Sequence, residues 1–175
     1  GFNHNEQTIR IVTYLEREYF QFKGLNLTYE TLDGLIKHNG PIYDLNEIES
    51  ILGKKLFKNK IKFEKTPSLE AQISTISDDI AYNSHDLEDG LNADLFNIND
   101  LKYIPVLSGI IKKHVKRINS NNKELILRQI IREAINEMVR DIIKNTETNL
   151  KQRKIKTINH VHNSEYPLVC FSKKM

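Results

Sequence analysis

The stretch SDDIAYNSHDLEDG, residues 77–90, places five carboxylates around one tyrosine. On a helix, Asp78, Tyr82 and Asp86 would form a single row, because residues four apart are neighbours on a helix surface. Aspartate is a poor helix former, and an aromatic ring is an unusual choice within a polar row. The row is therefore either an ordinary solvent-exposed face or a surface that binds a planar, polyhydroxylated ligand near a cation.

The elements that must position this row are predicted to be helices. Apolar residues recur at intervals of three and four, the pattern of a helix with one buried side, over residues 3–20, 27–38, 66–90, 101–118 and 123–145. The expected buried stripes are Ile9, Val12, Leu15 and Tyr19; Leu69, Ile73, Ile76 and Ile80; Ile104, Leu107, Ile111 and Val115; and Leu127, Ile130, Ile131, Ala134, Met138 and Ile142.

Capping residues predict where two of these helices begin. Thr28 is expected to cap the second helix, and Thr66, followed by Pro67, the third. Gly90 is expected to end the third helix.

Between and after the helices, other elements are expected. A further short helix is predicted at 45–53, a turn at 119–122, a polar connector at 146–154 and an extended segment or short strand at 166–171. This organisation predicts a helical part over 1–145 and a connector that opens a C-terminal segment over 146–175.

Composition excludes some classes of protein. No apolar run approaches the roughly 20 residues of a membrane span, so no membrane association is expected. A single cysteine, Cys170, cannot form an internal disulfide, which favours a reducing, cytoplasmic location. The chain starts with Gly1 and ends without a polar tail, so we expect it to be part of a longer protein.

Charge is distributed unevenly along the chain. Residues 1–100 contain 10 Lys and Arg against 17 Asp and Glu, whereas residues 101–175 contain 16 against 6. An acidic half suits a cation and a basic half suits phosphates or nucleic acid, although ordinary surface charge explains the same counts. His114, within the run KKHVKR, is expected at the surface.

Three segments resemble the HD-domain deoxynucleoside triphosphate triphosphohydrolases. DDIAYNSHDLEDG is similar to the last motif of that family, GFNHNEQTIRIVTYLE to an earlier motif, and NLTYETLDGLIKHNGP to a segment between them. The resemblance implies an all-α fold, a truncated, irregular multi-helix HD-domain-like bundle with few or no strands. It also implies hydrolysis of a deoxynucleoside triphosphate, such as dGTP, to the deoxynucleoside and tripolyphosphate.

The same resemblance implies roles for four residues. Asp78 would bind a divalent metal ion such as Mg²⁺ or Mn²⁺, Tyr82 would pack against the deoxyribose and exclude a 2′-hydroxyl, and Asp86 would accept a hydrogen bond from the 3′-hydroxyl. His4 would donate a proton to the leaving 5′-oxygen, as an imidazole can at neutral pH. A divalent metal suits attack on phosphorus because it neutralises charge and activates water.

The metal site implied by the family is incomplete here. It uses a His, an adjacent His-Asp pair and a distant Asp, but no His-Asp pair precedes Asp78 in this sequence. Most metal ligands are therefore expected outside this chain, which would be inactive by itself. Basic residues of the second half are expected to hold the phosphates, and the candidates, none singled out by a motif, are Lys116, Arg117, Arg128 and Arg132.

Other functions stay open at this point. The alternative to an enzyme is a non-catalytic helical module that binds nucleotides or nucleic acid through its basic half, and a third interpretation is a nonfunctional remnant. The partners expected from the resemblance are the deoxynucleotide substrate, further copies of the chain and single-stranded nucleic acid. Salt would strongly weaken oligonucleotide binding in a nucleic-acid-binding module.

We expect the isolated chain to be marginally stable or to aggregate, because the absent helices that carry the other metal ligands would also cover its open faces. Thermal unfolding followed by circular dichroism, together with size-exclusion chromatography, measures this. A sharp, reversible transition of a monomer would contradict it.

Overall fold

All regular secondary structure in the described part of the chain is helical. The structure is a computed structural model that describes residues 4–43, Ile48, 61–117 and 122–175, and no strand occurs within those ranges. The all-α prediction is confirmed. The chain divides into two compact units, Gly1–Thr75 with Ile155–Leu168 and Ile76–Lys154 with Val169–Met175.

The first unit is built around a small apolar core. It contains α1 (His4–Arg10), which continues as a π-helical turn over Ile11–Leu15, then α2 (Tyr29–Ile36), the first turns of α3 (Leu69–Asn92), and the short α6 (Ile158–His162). The buried side chains of this core are Ile9, Leu32, Ile36, Ile48, Ile61 and Phe63.

The first helix is shorter than predicted. It ends at Leu15, and Glu16 is already extended, with φ −63° and ψ 136°. The chain then folds back, because the Gly24 N–H donates to the Glu16 carbonyl at 3.0 Å and the Leu25 N–H to the Val12 carbonyl at 2.8 Å. Gly24 permits this turn with φ +68°. The predicted stripe is therefore wrong at its end, since Leu15 and Tyr19 are about half exposed.

One of the two predicted caps is confirmed. The Thr28 side chain accepts a hydrogen bond from the Thr31 N–H at 3.3 Å, and α2 begins immediately afterwards. Thr66 does not cap α3, because its hydroxyl donates to the Ser164 carbonyl at 2.6 Å. The cap is Ser68, whose side chain accepts from the Ala71 N–H at 3.2 Å.

The second unit packs three helical segments around a larger core. They are the greater part of α3, then α4 (Pro105–His114) between 3₁₀ turns at Asp100–Tyr103 and Val115–Arg117, and the long α5 (Lys123–Gln152). The buried residues of this core are Leu91, Leu101, Leu107, Ile110, Ile111, Leu127, Ile130 and Ala134.

Two helices of this unit run further than predicted. Gly90 does not end α3, which continues to Asn92; the Phe96 ring instead lies so close to Gly90 that it leaves no room for a side chain. The expected connector at 146–154 is largely helical, since α5 continues to Gln152. The C-terminal segment pairs with this helix, because the Ser172 N–H donates to Asp141 at 2.7 Å and the Asn145 side chain to the Cys170 carbonyl at 2.8 Å.

Burial agrees with most of the predicted stripes. On α5 the prediction is confirmed at Leu127, Ile130, Ile131, Ala134 and Ile142, whereas Met138 is half-buried. In α3 and α4 the predicted burial is confirmed for Ile80, Leu107 and Ile111. It is wrong for Ile73 and Ile104, which are exposed.

Three other predictions have different outcomes. Residues 166–171 form neither helix nor strand. The short helix predicted at 45–53 lies outside the described residues except at Ile48. The turn predicted at 119–122 lies outside them except at Asn122, which is in a turn. No helix in the described ranges is both long and apolar enough to cross a bilayer.

His114 connects α4 to α5 and is buried, so the prediction of a surface position is wrong. Its Nε2 lies 2.7 Å from Glu133 Oε1, and the Gln129 amide nitrogen donates to the same oxygen at 3.0 Å. The hydrogen bond from Gln129, followed by the one from His114, lowers the pKa of Glu133 below its usual 4.5, against the opposing effect of burial. Lys113, 3.9 Å from the other carboxylate oxygen, adds to the same effect.

We expect Glu133→Gln to lower the free energy of unfolding more at about pH 7 than at about pH 3.5. A carboxyl whose pKa is lower in the folded state stabilises the fold above the unfolded pKa, near 4.5, and this stability is lost as the pH falls through the folded value. Urea denaturation at both pH values measures the difference. Glu137→Gln is the control, since Glu137 contacts Arg140 at 3.4 Å on the surface; an equal effect of Glu133→Gln at both pH values would contradict the account.

Candidate functional site

The residues Asp78, Tyr82 and Asp86 lie in one row on α3, as their spacing predicts. All three are exposed, and the Tyr82 side chain is 65% accessible. Ile80 lies on the buried side of the same helix. The prediction that these three residues share one side of a helix is therefore confirmed. Their chemical roles stay predictions.

A cavity of about 700 Å³ lies between α3 and α5 of the second unit, and no residue of the row lines it. Its apolar lining comes from residues such as Ile80, Ile131 and Ile135. The titratable side chains that line it are His85 and Glu88 on α3 and Arg128 and Arg132 on α5. An apolar cleft with a few convergent polar groups is the usual form of a small-molecule site.

The row and the cavity lie on different sides of α3. Ser77, Ala81 and His85 line the cavity, and each directly precedes one residue of the row. Consecutive helix residues are separated by about 100° around the axis and about 1.5 Å along it. Each residue of the row therefore points about 100° away from the neighbour that lines the cavity, and none of the three lines it.

The two helices that form the cavity differ in charge. On α3, the segment that carries the row contains Asp78, Asp79, Asp86, Glu88 and Asp89 and no Lys or Arg. On α5, the cavity is lined by two arginines, Arg128 and Arg132, and no carboxylate. At the cavity itself, the α3 wall presents one carboxylate, Glu88, and His85 opposite the two arginines of α5.

His4 lies in the other unit, at the start of α1, and its side chain is exposed. The row belongs to the second unit. The role of His4 as a proton donor therefore stays a prediction.

A metal site is not complete in the described residues. Among them, no group of three or more His, Cys, Asp and Glu side chains is arranged to hold a metal ion. A single carboxylate such as Asp78 does not fix a divalent cation, which binds several oxygen ligands at once. The residues of the described ranges thus do not fit a self-contained metal centre.

Sequence patterns did not distinguish Arg128 and Arg132 from Lys116 and Arg117. The structure distinguishes the two pairs, because Arg128 and Arg132 line the cavity between α3 and α5 and the other two residues do not. The sequence did indicate that Arg128 and Arg132, four residues apart, lie on the same side of a helix. It did not indicate which helix that side faces.

Comparison with known proteins finds relatives that share one name. Proteins named deoxyguanosinetriphosphate triphosphohydrolase-like are similar to this chain over almost its whole length. No protein-family model matches it.

Three relatives show the extent of the similarity. The protein of Pelagibacter ubique (strain HTCC1062) is 57% identical over 174 residues, which are 99% of this chain and 47% of the relative. The protein of Rickettsia typhi (strain ATCC VR-144 / Wilmington) is 36% identical, with 99% of this chain and 45% of the relative covered. The protein of Parvibaculum lavamentivorans (strain DS-1 / DSM 13023 / NCIMB 13966) is 36% identical, with 100% of this chain and 45% of the relative covered. The chain spans about half the length of these curated relatives.

Proposed function

We propose that this chain is part of a metal-dependent enzyme that hydrolyses a deoxynucleoside triphosphate, such as dGTP, to the deoxynucleoside and tripolyphosphate. The observation that carries the proposal is the exposed row Asp78, Tyr82 and Asp86 on one side of α3. The names of the relatives support the same reaction class.

Two residues of the row suit a deoxyribose. The exposed Tyr82 ring offers a flat apolar surface on which a sugar can pack, and close packing there leaves no space for a 2′-hydroxyl. The Asp86 carboxylate, one turn further along, accepts a hydrogen bond from the 3′-hydroxyl. Hydrogen bonds to an ionised acceptor are stronger than neutral ones, so this contact also fixes the orientation of the sugar.

Asp78 supplies one carboxylate to the metal ion in this proposal. The other ligands come from outside the described residues, because those residues hold no complete site. The isolated chain is accordingly inactive. In this proposal His4 donates a proton to the 5′-oxygen of the departing deoxynucleoside.

A chimaera tests the reaction. When this chain replaces the matching segment of the Pelagibacter ubique relative, 57% identical to it, we expect release of tripolyphosphate from dGTP with Mg²⁺ or Mn²⁺. Asp78→Asn in the chimaera should lower that rate by at least about 100-fold, because a metal ligand loses its charge.

The matched control is Asp79→Asn, which removes the neighbouring exposed carboxylate about 100° away around the helix axis. It should leave the rate within about twofold of that of the unaltered chimaera, as surface changes usually do. Equal rates for the Asp78 and Asp79 variants would contradict the proposed role of Asp78. Absence of hydrolysis in the unaltered chimaera, with dGTP bound, would favour the non-catalytic nucleotide-binding alternative.

A further inference from the structure

The turn that follows α2 contains the one Asn-Gly pair of the sequence, Asn39 and Gly40. Asn39 is exposed, and Gly40 has φ +101°, with open space where a side chain would lie. Asparagine followed by glycine is the pair in which spontaneous deamidation is least obstructed, because glycine places no side chain beside the attacking backbone nitrogen. The pair is therefore a candidate for covalent modification.

Deamidation at this pair uses atoms of both residues. The Gly40 nitrogen gives up its proton to water and forms a bond with Cγ of Asn39. The bond from that carbon to the side-chain nitrogen breaks, and the nitrogen leaves as ammonia. Water then opens the resulting five-membered ring at either carbonyl, which gives aspartate or isoaspartate. Water is the co-reactant, so the modification is independent of hydrolysis at the row on α3.

The folded turn withholds the nitrogen that must attack. The Gly40 N–H donates to the Lys37 carbonyl at 2.8 Å. Lys37 is itself fixed, because its N–H donates to the Asp33 carbonyl at 3.0 Å and its buried ammonium group lies 2.6 Å from the Asp33 carboxylate. Disrupting a buried ion pair is costly, so the acceptor of the Gly40 N–H is held in place.

The chain is also anchored on both sides of the pair. The His38 carbonyl accepts a hydrogen bond from the hydroxyl of Thr75, on α3, at 2.7 Å. Beyond the pair, the Ile42 N–H donates to the Phe63 carbonyl at 2.9 Å. All of these residues belong to the first unit. The pair therefore reacts when this local structure opens, and is protected while it is closed.

We propose that Asn39 is a site of spontaneous deamidation and that the hydrogen-bonded turn after α2 controls its rate. Isoaspartate adds a carbon atom to the main chain within the turn, so the bond between the Gly40 N–H and the Lys37 carbonyl no longer fits. Deamidation thus converts a transient opening at the end of α2 into a permanent one.

Mass spectrometry of the tryptic fragment 38–54, from the chimaera with the Pelagibacter ubique relative, tests the proposal. The reference is a synthetic peptide of residues 34–43, which has no fold to protect the pair. At the same pH and temperature, Asn39 in the chimaera should react about tenfold to a hundredfold more slowly than in the peptide, because hydrogen-bonded structure must open first.

Thr75→Val tests the anchor on α3. It removes the hydrogen bond to the His38 carbonyl and should raise the deamidation rate about threefold to tenfold. Thr148→Val is the matched control. The Thr148 hydroxyl donates to the Lys144 carbonyl in its own helix at 2.8 Å, just as Thr75 also donates to the Ala71 carbonyl at 3.0 Å. The control should leave the rate within about twofold of that of the unaltered chimaera.

A second measurement follows the consequence for the turn. Lys37 is 1% exposed, so trypsin cleaves after it slowly while the turn is intact. In chimaera aged until Asn39 is partly converted, brief proteolysis without denaturant should cleave the modified molecules first. Isoaspartate at position 39 should then be enriched about threefold or more in the cleaved fraction.

Four results would overturn the proposal. They are equal rates in the chimaera and the peptide, no conversion in the chimaera after about a hundred half-lives of the peptide reaction, equal rates in the Thr75→Val and Thr148→Val variants, and no enrichment of isoaspartate in the cleaved fraction. Circular dichroism of both variants, unchanged from that of the unaltered chimaera, shows that a faster reaction comes from the turn and not from loss of the fold.

Discussion

The packing of α3 within the second unit sets the orientation on which the candidate site depends. Leu91 is buried in the core with residues of α4 and α5, and Leu87 packs against the same core. Gly90 lets the Phe96 ring approach the helix directly. Because each residue advances about 100° around the axis, these contacts near the end of α3 also determine that Asp78, Tyr82 and Asp86 face outwards.

The same packing places two groups of charges on different sides of α3. Two arginines line the cavity from α5, and the α3 wall opposite them contains one carboxylate, Glu88, together with His85 and apolar side chains. The carboxylates of the row, Asp78 and Asp86, are exposed and do not line the cavity. The row therefore presents its charge to solvent, on a surface separate from the cavity.

Local sequence rules predicted the features that depend on neighbours within one helix. The row at 78, 82 and 86 follows from periodicity, the Thr28 cap from side-chain chemistry, and most of the buried stripe of α5 from apolar spacing. The chemical roles of the row came from family resemblance, because no spacing rule distinguishes a sugar-binding aspartate from a solvated one.

The predictions that were wrong concern features set by contacts with residues beyond the same helix. The first helix stops where Gly24 and Leu25 return to bond with Glu16 and Val12. The hydroxyl of Thr66 is occupied by the carbonyl of Ser164, 98 residues away, so Ser68 replaces it as the cap of α3. The position of Arg128 and Arg132 at the cavity, which Lys116 and Arg117 do not share, likewise depends on the helix that lies opposite.

The central claim is that the row on α3 holds a deoxyribose, and the ratio of affinities for dGTP and GTP tests it most directly. We expect the chimaera with the Pelagibacter ubique relative, with metal ions omitted so that no hydrolysis occurs, to bind dGTP at least about tenfold more tightly than GTP, because packing on Tyr82 excludes the 2′-hydroxyl. Tyr82→Ala should bring the ratio close to one by removing the ring that closes this space. A ratio unchanged by the substitution, or no preference for dGTP in the unaltered chimaera, would contradict the account.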